Sequence, residues 1–268
     1  MDKKIGFIGS GNMAKAILGG LLSSGVAAQD SIVASALTEA TIQTINKEFN
    51  IKTTRDNKVV ANSSDYLFLA VKPDQYAGVI EEVKNHIKEN AIVITIAAGV
   101  TLHSLGEQLG EGVKIVRTMP NTPSLVGEGM SALCPNDKVT EEEMAEVMEL
   151  FTSFGQAEIL DEYLMDAVPA VSGSSPAYAF MFIEALADGA VKQGIPRDTA
   201  YKMASQALLG AAKMVLETGS HPGALKDAVC SPGGATIEAV STLEKTGFRA
   251  SVISAMESCY KKSTNMID

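Results

Sequence analysis

The sequence predicts an α/β fold in which a mostly parallel N-terminal sheet is followed by an all-helical C-terminal domain. Up to about residue 160, short runs rich in Val and Ile alternate with helix-like stretches, which is typical of βαβ units and a parallel sheet. From about Tyr163 onward, only helical periodicity is found. We therefore expect two domains, over residues 1–161 and 162–268.

The N-terminal elements follow one another in a regular order. The predicted strands are Ile5 to Ile8, Ser31 to Ser35, Tyr66 to Ala70, Ile92 to Ile96, Lys114 to Val116 and a last strand at about Gln156 to Leu160. The predicted helices between them are Asn12 to Ser24, Glu39 to Phe49, Gln75 to Ile87 and Leu102 to Leu109. Thr140 and Glu143 have the spacing of a capping box, which predicts a further helix toward Phe154.

The C-terminal half contains four longer helical stretches. They are Pro176 to Val191, Arg197 to Glu217, Ile237 to Thr246 and Arg249 to Lys262. The first is apolar nearly all round for two turns, which requires burial on several sides. A second copy of the chain would bury such faces, so we predict that this half is a dimerisation domain and that the protein is a homodimer or an oligomer built from dimers.

Composition excludes several classes of partner. The chain has 32 Asp and Glu against 22 Lys and Arg, a net charge of −10, so no nucleic acid is expected to bind. Cys134, Cys230 and Cys259 are widely spaced, which predicts neither disulfides nor a metal site and fits a cytoplasmic protein. The run Ala177 to Ile183 is far shorter than the roughly 20 residues of a membrane span, and no signal peptide is evident, so we expect a soluble protein with no membrane partner.

The first strand leads into a glycine-rich turn and a helix. The segment from Gly9 to Ala14 matches G-x-G-x-x-G/A: the first glycine permits a tight turn, and Gly11 lets the backbone approach a pyrophosphate. Its position after the first strand of a βαβ series predicts a Rossmann-type dinucleotide-binding domain over 1–161. The residues expected to bind the cofactor here are Ile8, Gly9, Ser10, Gly11, Asn12 and Met13.

The end of the second strand bears on which dinucleotide is bound. NAD-selective sites usually place an acid there, but no acid occurs before Glu39. Ser35 and Thr38 can hydrogen-bond a 2′-phosphate, although no Arg is present in this segment. We expect NADPH to be preferred and NADH to be possible.

Two further turns follow strands at the same edge of the sheet, where ligands of such folds bind. They contribute the expected cofactor-binding residues Ala70, Val71, Lys72, Pro73, Ala97 and Ala98. For Lys72, a purely solvent-facing position is an equal alternative.

A second glycine-rich turn, Ser231 to Ile237 (SPGGATI), precedes a helical stretch. Backbone N–H groups at the positive end of a helix dipole bind anions, and Thr236 adds a hydroxyl. Taken alone, the turn is either such an anion site or an ordinary helix cap.

In combination, the motifs of this chain resemble those of the pyrroline-5-carboxylate reductase family. The likeness is carried by GFIGSGNMA at Gly6 to Ala14, LAVKP at Leu69 to Pro73, AAGV at Ala97 to Val100, RTMPNTP at Arg117 to Pro123, HPGALKD at His221 to Asp227, and SPGGATI. One position departs from the family pattern SGSGPAY, because Ser175 stands where glycine is usual.

The resemblance implies NAD(P)H-dependent reduction of 1-pyrroline-5-carboxylate to L-proline, the last step of proline biosynthesis. It implies that Ser231, Gly234, Ala235 and Thr236 bind the substrate carboxylate, with the catalytic Thr236 hydroxyl facing the ring nitrogen. It also implies that Asn57 and the turn from Ala70 to Pro73 contact the cofactor. We further hypothesise that the SPGGATI turn completes the active site of a partner subunit.

Two rival functions remain at this point. A β-hydroxyacid dehydrogenase has a catalytic Lys shortly after its glycine–serine turn, but Pro176 to Val191 contains no Lys and Lys192 comes too late. A non-catalytic NADP-binding sensor or scaffold is the other rival. His86 and His103 are expected at the surface, and His221 is expected to cap a helix that starts at Pro222.

Overall fold

The computed structural model describes residues 3–264. The chain forms two compact units: one takes in the chain up to Ser174 and from Cys259 onward, and the other spans Ser175–Ser258. The domain boundary between residues 161 and 162 stays a prediction, and the outer ends of the two predicted domains lie outside the described residues.

The first unit is built on one eight-stranded sheet with the order β3-β2-β1-β4-β5-β6-β7-β8. The strands are β1 (Ile5–Ile8), β2 (Ile32–Ser35), β3 (Lys52–Thr54), β4 (Tyr66–Leu69), β5 (Ile92–Thr95), β6 (Lys114–Met119), β7 (Gly129–Pro135) and β8 (Gly155–Ile159). All neighbours are parallel except the antiparallel pair β6 and β7. The predicted Rossmann-type, mostly parallel sheet is confirmed.

Seven helices surround this sheet among the described residues of the unit. They are α1 (Asn12–Ser23), α2 (Glu39–Phe49), α3 (Asn57–Ser63), α4 (Tyr76–Val83), α5 (Leu102–Leu109), α6 (Glu141–Thr152) and α7 (Glu162–Met165). Successive residues of a strand point to opposite faces, so the strands feed two cores. Phe7 and Phe68 stack with centroids 4.6 Å apart in one core, while Ile8 and Leu67 lie in the other.

Several predicted bounds differ from the structure. Strand β6 continues three residues beyond the predicted end at Val116. The helix predicted from Gln75 to Ile87 is shorter, since α4 ends at Val83 and a 3₁₀ turn follows. The capping box at Thr140 is confirmed, with reciprocal bonds between Thr140 and Glu143.

The second unit is helical, as predicted. The helices from Ser175 onward are α8 (Ser175–Lys192), α9 (Arg197–Thr218), α10 (Pro222–Val229), α11 (Ala235–Lys245) and α12 (Phe248–Thr264), the last ending within the first unit. Few side chains are buried in this unit, and Phe180, Met181 and Leu216 are 64%, 69% and 78% exposed. Across residues 3–264, no helix has both the length and the apolar character needed to cross a bilayer.

Candidate active site

The glycine-rich turn connects β1 to α1 and leaves an open space in front of the helix. Gly9 has φ +97°, and a Cβ there would lie 2.6 Å from the carbonyl oxygen of Ala70, so only glycine fits. A Cβ on Gly11 would meet no atom within 4 Å, and no side chain caps the N-terminus of α1. The first N–H groups of α1 are therefore available to an anion. This geometry fits the diphosphate of a dinucleotide, and Ala14 is buried at 1% exposure as the motif requires.

The end of β2 is joined to its neighbours by a line of hydrogen bonds. The Ser10 hydroxyl donates to the Ser35 carbonyl oxygen at 2.9 Å, and the Ser35 hydroxyl donates to Asn57 Oδ1 at 2.7 Å. Asn57 Nδ2 then donates to Glu82 Oε2 at 2.9 Å. Ser35 is only 1% exposed, and its hydroxyl holds Asn57 in this arrangement. That Ser35 hydrogen-bonds a 2′-phosphate of the cofactor stays a prediction. The Thr38 hydroxyl accepts a hydrogen bond from the Thr41 N–H and caps α2.

A cleft of about 370 Å³ opens beside this line. Its lining includes Gly9, Leu37, Arg55, Asn57 and Val71. Arg55 Nη2 donates to the Leu37 carbonyl oxygen at 3.2 Å. The segment at the end of β2 contains no Arg of its own, but Arg55, directly after β3, lies beside it.

The ends of β4 and β5 are held together below the predicted cofactor turns. The Tyr76 hydroxyl donates to the Leu69 carbonyl oxygen at 2.6 Å and contacts Thr95 Oγ1 at 2.8 Å. Burial raises the pKa of Tyr76 to about 12, so this hydroxyl stays protonated and structural. Lys72 is exposed at the start of a 3₁₀ turn that begins at Pro73.

A second cleft, also of about 370 Å³, lies along the ends of β5 and β6. Met13, Ala98, Asn121 and Lys262 are among its lining residues. Asn121 is committed to structure, since it donates to the Ser172 carbonyl oxygen and accepts from the Met130 N–H, both at 2.9 Å. The glycine-rich turn thus borders one cleft through Gly9 and the other through Met13, as a site for the two halves of a dinucleotide requires.

The SPGGATI turn lies in the second unit. The Gly234 N–H donates to the Ser231 carbonyl oxygen at 3.0 Å, and a Cβ on Gly234 would lie 2.4 Å from Ser231 Oγ. Gly234 is the N-cap of α11, as the helix-cap alternative requires, but no side chain accepts a hydrogen bond from the first N–H groups of this helix. Ser231, Ala235 and Thr236 are exposed, and within residues 3–264 neither the Ser231 nor the Thr236 hydroxyl has a hydrogen-bond partner. N–H groups and hydroxyls at this turn are thus free to bind an anion.

Three smaller expectations, on His221, on Ser175 and on the two histidines predicted at the surface, can be compared with the structure. His221 caps α10 through Nδ1, which accepts from the Gly223 N–H at 3.0 Å, as predicted. Ser175 opens α8 and has no positive φ, so glycine is not required there by backbone conformation. His103 has an 83% exposed side chain, whereas His86 is half-buried.

Two family models match the chain. One, described as pyrroline-5-carboxylate reductase dimerisation, covers residues 162–266. The other, described as NADP oxidoreductase coenzyme F420-dependent, covers residues 4–99.

Relatives match along the whole chain. A pyrroline-5-carboxylate reductase of Escherichia coli (strain K12) is 52% identical over 266 residues, which is 99% of each chain, and one of Methanosarcina acetivorans is 42% identical over 99% of this chain and 98% of its own. A solved pyrroline-5-carboxylate reductase of Coxiella burnetii has a TM-score of 0.93 at 33% identity over 100% of both chains. A Plasmodium falciparum pyrroline carboxylate reductase with NADP bound has a TM-score of 0.90 at 32% identity, over 100% of this chain and 99% of that one.

The full-length relatives indicate the same family as the sequence motifs, the sheet order and the two glycine-rich turns. The chain belongs to the pyrroline-5-carboxylate reductase family.

Proposed function

We propose that the chain, an NAD(P)-dependent oxidoreductase of this family, reduces 1-pyrroline-5-carboxylate to L-proline in the cytoplasm with NADPH preferred over NADH. The observation that carries the substrate assignment is the uncapped start of α11, where Ser231 and Thr236 present free hydroxyls. The preference for NADPH is supported by the relative with NADP bound and by Arg55 at the end of β2. Three free cysteines fit a reducing compartment.

The cofactor supplies a hydride when it is bound. Backbone N–H groups at Gly11, Asn12 and Met13 hold its diphosphate at the start of α1. The remaining residues proposed to contact or position it are Ile8, Gly9, Ser10, Ser35, Asn57, Ala70, Val71, Lys72, Pro73, Ala97 and Ala98. Among these, Ile8 and Ser35 are 1% exposed, so they act through backbone atoms or through Asn57.

The substrate is held by its carboxylate. N–H groups of Ala235 and Thr236, with the Ser231 hydroxyl, bind the carboxylate oxygens at the positive end of α11, and Gly234, whose N–H is donated to the Ser231 carbonyl oxygen, lets the turn form beneath them. The Thr236 hydroxyl then faces the ring nitrogen and orients it or relays a proton. An imine is already electrophilic, so positioning supplies most of the catalysis and no strong base is needed.

Assembly and partners follow from the same features. The second unit matches a dimerisation family and exposes large apolar side chains, which supports a homodimer or an oligomer built from dimers. The net charge of −10 supports a small-molecule substrate over nucleic acid.

One assay separates this function from its rivals. Loss of NADPH absorbance is followed with 1-pyrroline-5-carboxylate, and NADP⁺ reduction is followed with a series of hydroxyacids. We expect turnover with the imine alone, because α8 has no lysine before Lys192. Normal NADPH binding without turnover of the imine would refute the proposal, and activity toward hydroxyacids would favour the dehydrogenase.

A further inference from the structure

We propose that Arg55 recognises the 2′-phosphate of NADP(H) and thereby sets the preference of this chain over NAD(H). The inference deepens the proposed function, since it rests on a nicotinamide cofactor at the glycine-rich turn. It assigns to β3 a specificity role that is usually sought at the end of β2.

The sheet register places Arg55 beside the end of β2. Ser35 pairs with Thr54, and the Ala36 N–H donates to the Thr54 carbonyl oxygen at 3.3 Å, so Arg55 follows directly beyond the last rung. Its Nη2 donates to the carbonyl oxygen of Leu37, two residues after the end of β2, at 3.2 Å. The guanidinium therefore borders the cleft at the level where the ribose of a Rossmann-bound dinucleotide lies.

The charge of Arg55 is not neutralised by a neighbour. The chain has four arginines. Arg117 pairs with Asp166 at 2.7 Å, Arg197 pairs with Asp188 at 2.5 Å and Arg249 pairs with Glu244 at 2.7 Å. Within residues 3–264, no carboxylate pairs with Arg55.

An arginine without a carboxylate partner is well suited to bind phosphate. A guanidinium has five N–H donors in a planar fork, and the Leu37 carbonyl oxygen engages one of its nitrogens. The side chain is exposed and lines the cleft, and among the described residues its guanidinium makes no other hydrogen bond, so a phosphate can be bound by two parallel hydrogen bonds without first breaking an ion pair.

Most other polar groups nearby are already engaged, and Gln75, which also lines the cleft, is uncharged. The Ser35 hydroxyl is buried against Asn57, and the Thr38 hydroxyl caps α2. Glu82 is the carboxylate lining the cleft, and its Oε2 accepts from Asn57. Asp56 caps α3 through the Lys58 N–H at 2.9 Å. Arg55 is thus the lining residue with both the charge and the free donors to distinguish a 2′-phosphate from a 2′-hydroxyl.

The test uses two adenine fragments, 2′,5′-ADP and 5′-AMP, whose dissociation constants are measured by isothermal titration calorimetry. These fragments lack nicotinamide, so the measurement is independent of turnover. The proteins are the full-length wild type, Arg55→Gln, Arg55→Lys and the control Lys52→Gln. Lys52 is an exposed cation at the start of β3, three residues before Arg55, and it does not line the cleft, so the control removes the same charge close by.

We expect Arg55→Gln to weaken 2′,5′-ADP binding about 10- to 100-fold, which is the effect of losing a hydrogen bond to a charged group. Binding of 5′-AMP should change less than about two-fold, because it lacks the 2′-phosphate. The affinity of Arg55→Lys for 2′,5′-ADP should lie between those of the wild type and Arg55→Gln, since lysine keeps the charge but lacks the planar fork of donors. Lys52→Gln should bind both fragments as the wild type does.

Three outcomes count against the proposal or its basis. Equal weakening of both fragments by Arg55→Gln would mean that Arg55 stacks on adenine or supports the Leu37 loop, and would overturn its role in specificity. Unchanged binding of both fragments would overturn it as well. A wild type that binds 2′,5′-ADP no more tightly than 5′-AMP would instead refute the proposed NADPH preference itself.

Discussion

At the residue scale, Thr236 is the side chain on which the proposed chemistry depends most. It lies in the first turn of α11, is exposed and makes no hydrogen bond with any described residue. Packing therefore does not explain why a threonine occupies position 236. This hydroxyl lies at the positive end of a helix, beside the N–H groups proposed to bind the carboxylate, and we propose that it acts on the substrate ring.

Thr236→Ala should lower kcat with 1-pyrroline-5-carboxylate about 10- to 100-fold, because a group that orients or protonates the imine is lost. The dissociation constant for NADPH should change less than about two-fold, since the cofactor is held at the start of α1. Thr236→Ser keeps the hydroxyl and is the matched control, expected to retain most of the turnover. Reduced NADPH affinity with unchanged turnover would show that the role given to Thr236 is wrong.

At the element scale, Arg117 ties three elements of the first unit together behind the site. Its side chain is 5% exposed on β6 and contacts Asp166 at 2.7 Å, just after α7, and Glu162 at 3.4 Å, at the start of α7. Glu162 Oε1 also accepts from the Leu102 N–H at 2.6 Å, at the start of α5. This cluster fixes the end of β6, where the second cleft begins.

Arg117→Gln should lower the free energy of unfolding by about 2–3 kcal/mol, because two carboxylates lose a buried cationic partner while retaining partial contact with water. Urea unfolding followed by circular dichroism measures the loss. Arg249→Gln, which removes the exposed pair with Glu244, is the control and should leave the unfolding midpoint essentially unchanged. A wild-type midpoint for Arg117→Gln would contradict the structural role of this cluster.

The elements predicted correctly from sequence are those whose signal is local. Strands β1, β2, β4 and β5 are buried on both faces and read as continuous apolar runs. Strand β3 was missed because it is a polar three-residue edge strand. Strand β7 was missed because it carries small residues where the chain packs closely: a Cβ on Gly155 would lie 2.0 Å from the Gly129 carbonyl oxygen.

The candidate site likewise contains features that can be predicted from local sequence and features that depend on the fold. The two glycine-rich turns are formed by consecutive residues, so their chemistry can be predicted from the chain alone. The burial of Ser35 depends on its packing against Asn57, and the place of Arg55 depends on the register of β3. Neither can be deduced from spacing along the sequence.

At the scale of the whole molecule, the second unit exposes an apolar surface, which we propose is covered by a second copy of the chain. Its described helices bury few side chains, while residues such as Phe180 and Leu216 remain largely exposed. Exposed surface of this kind marks an interaction site, and the match to a dimerisation family indicates a second copy. Light scattering at micromolar concentration should give the mass of a dimer or of a multiple of it; a monomer mass would contradict this.

Mixed dimers test whether the SPGGATI turn serves the partner subunit. Gly11→Asp places a negative charge against the cofactor diphosphate, and Thr236→Ala removes the catalytic hydroxyl. If each site combines the glycine-rich turn of one subunit with the SPGGATI turn of the other, random mixing of the two variants should restore about a quarter of wild-type activity. No recovery beyond the sum of the two separate variants, despite demonstrated subunit exchange, would place both turns of each site in one chain.

A crystal structure of the protein with NADP⁺ and L-proline bound would test the proposed substrate site most directly. We expect the proline carboxylate about 3 Å from the backbone nitrogens of Ala235 and Thr236. We also expect the diphosphate against the N–H groups that begin α1. A proline carboxylate bound away from the SPGGATI turn would contradict the proposed role of that turn.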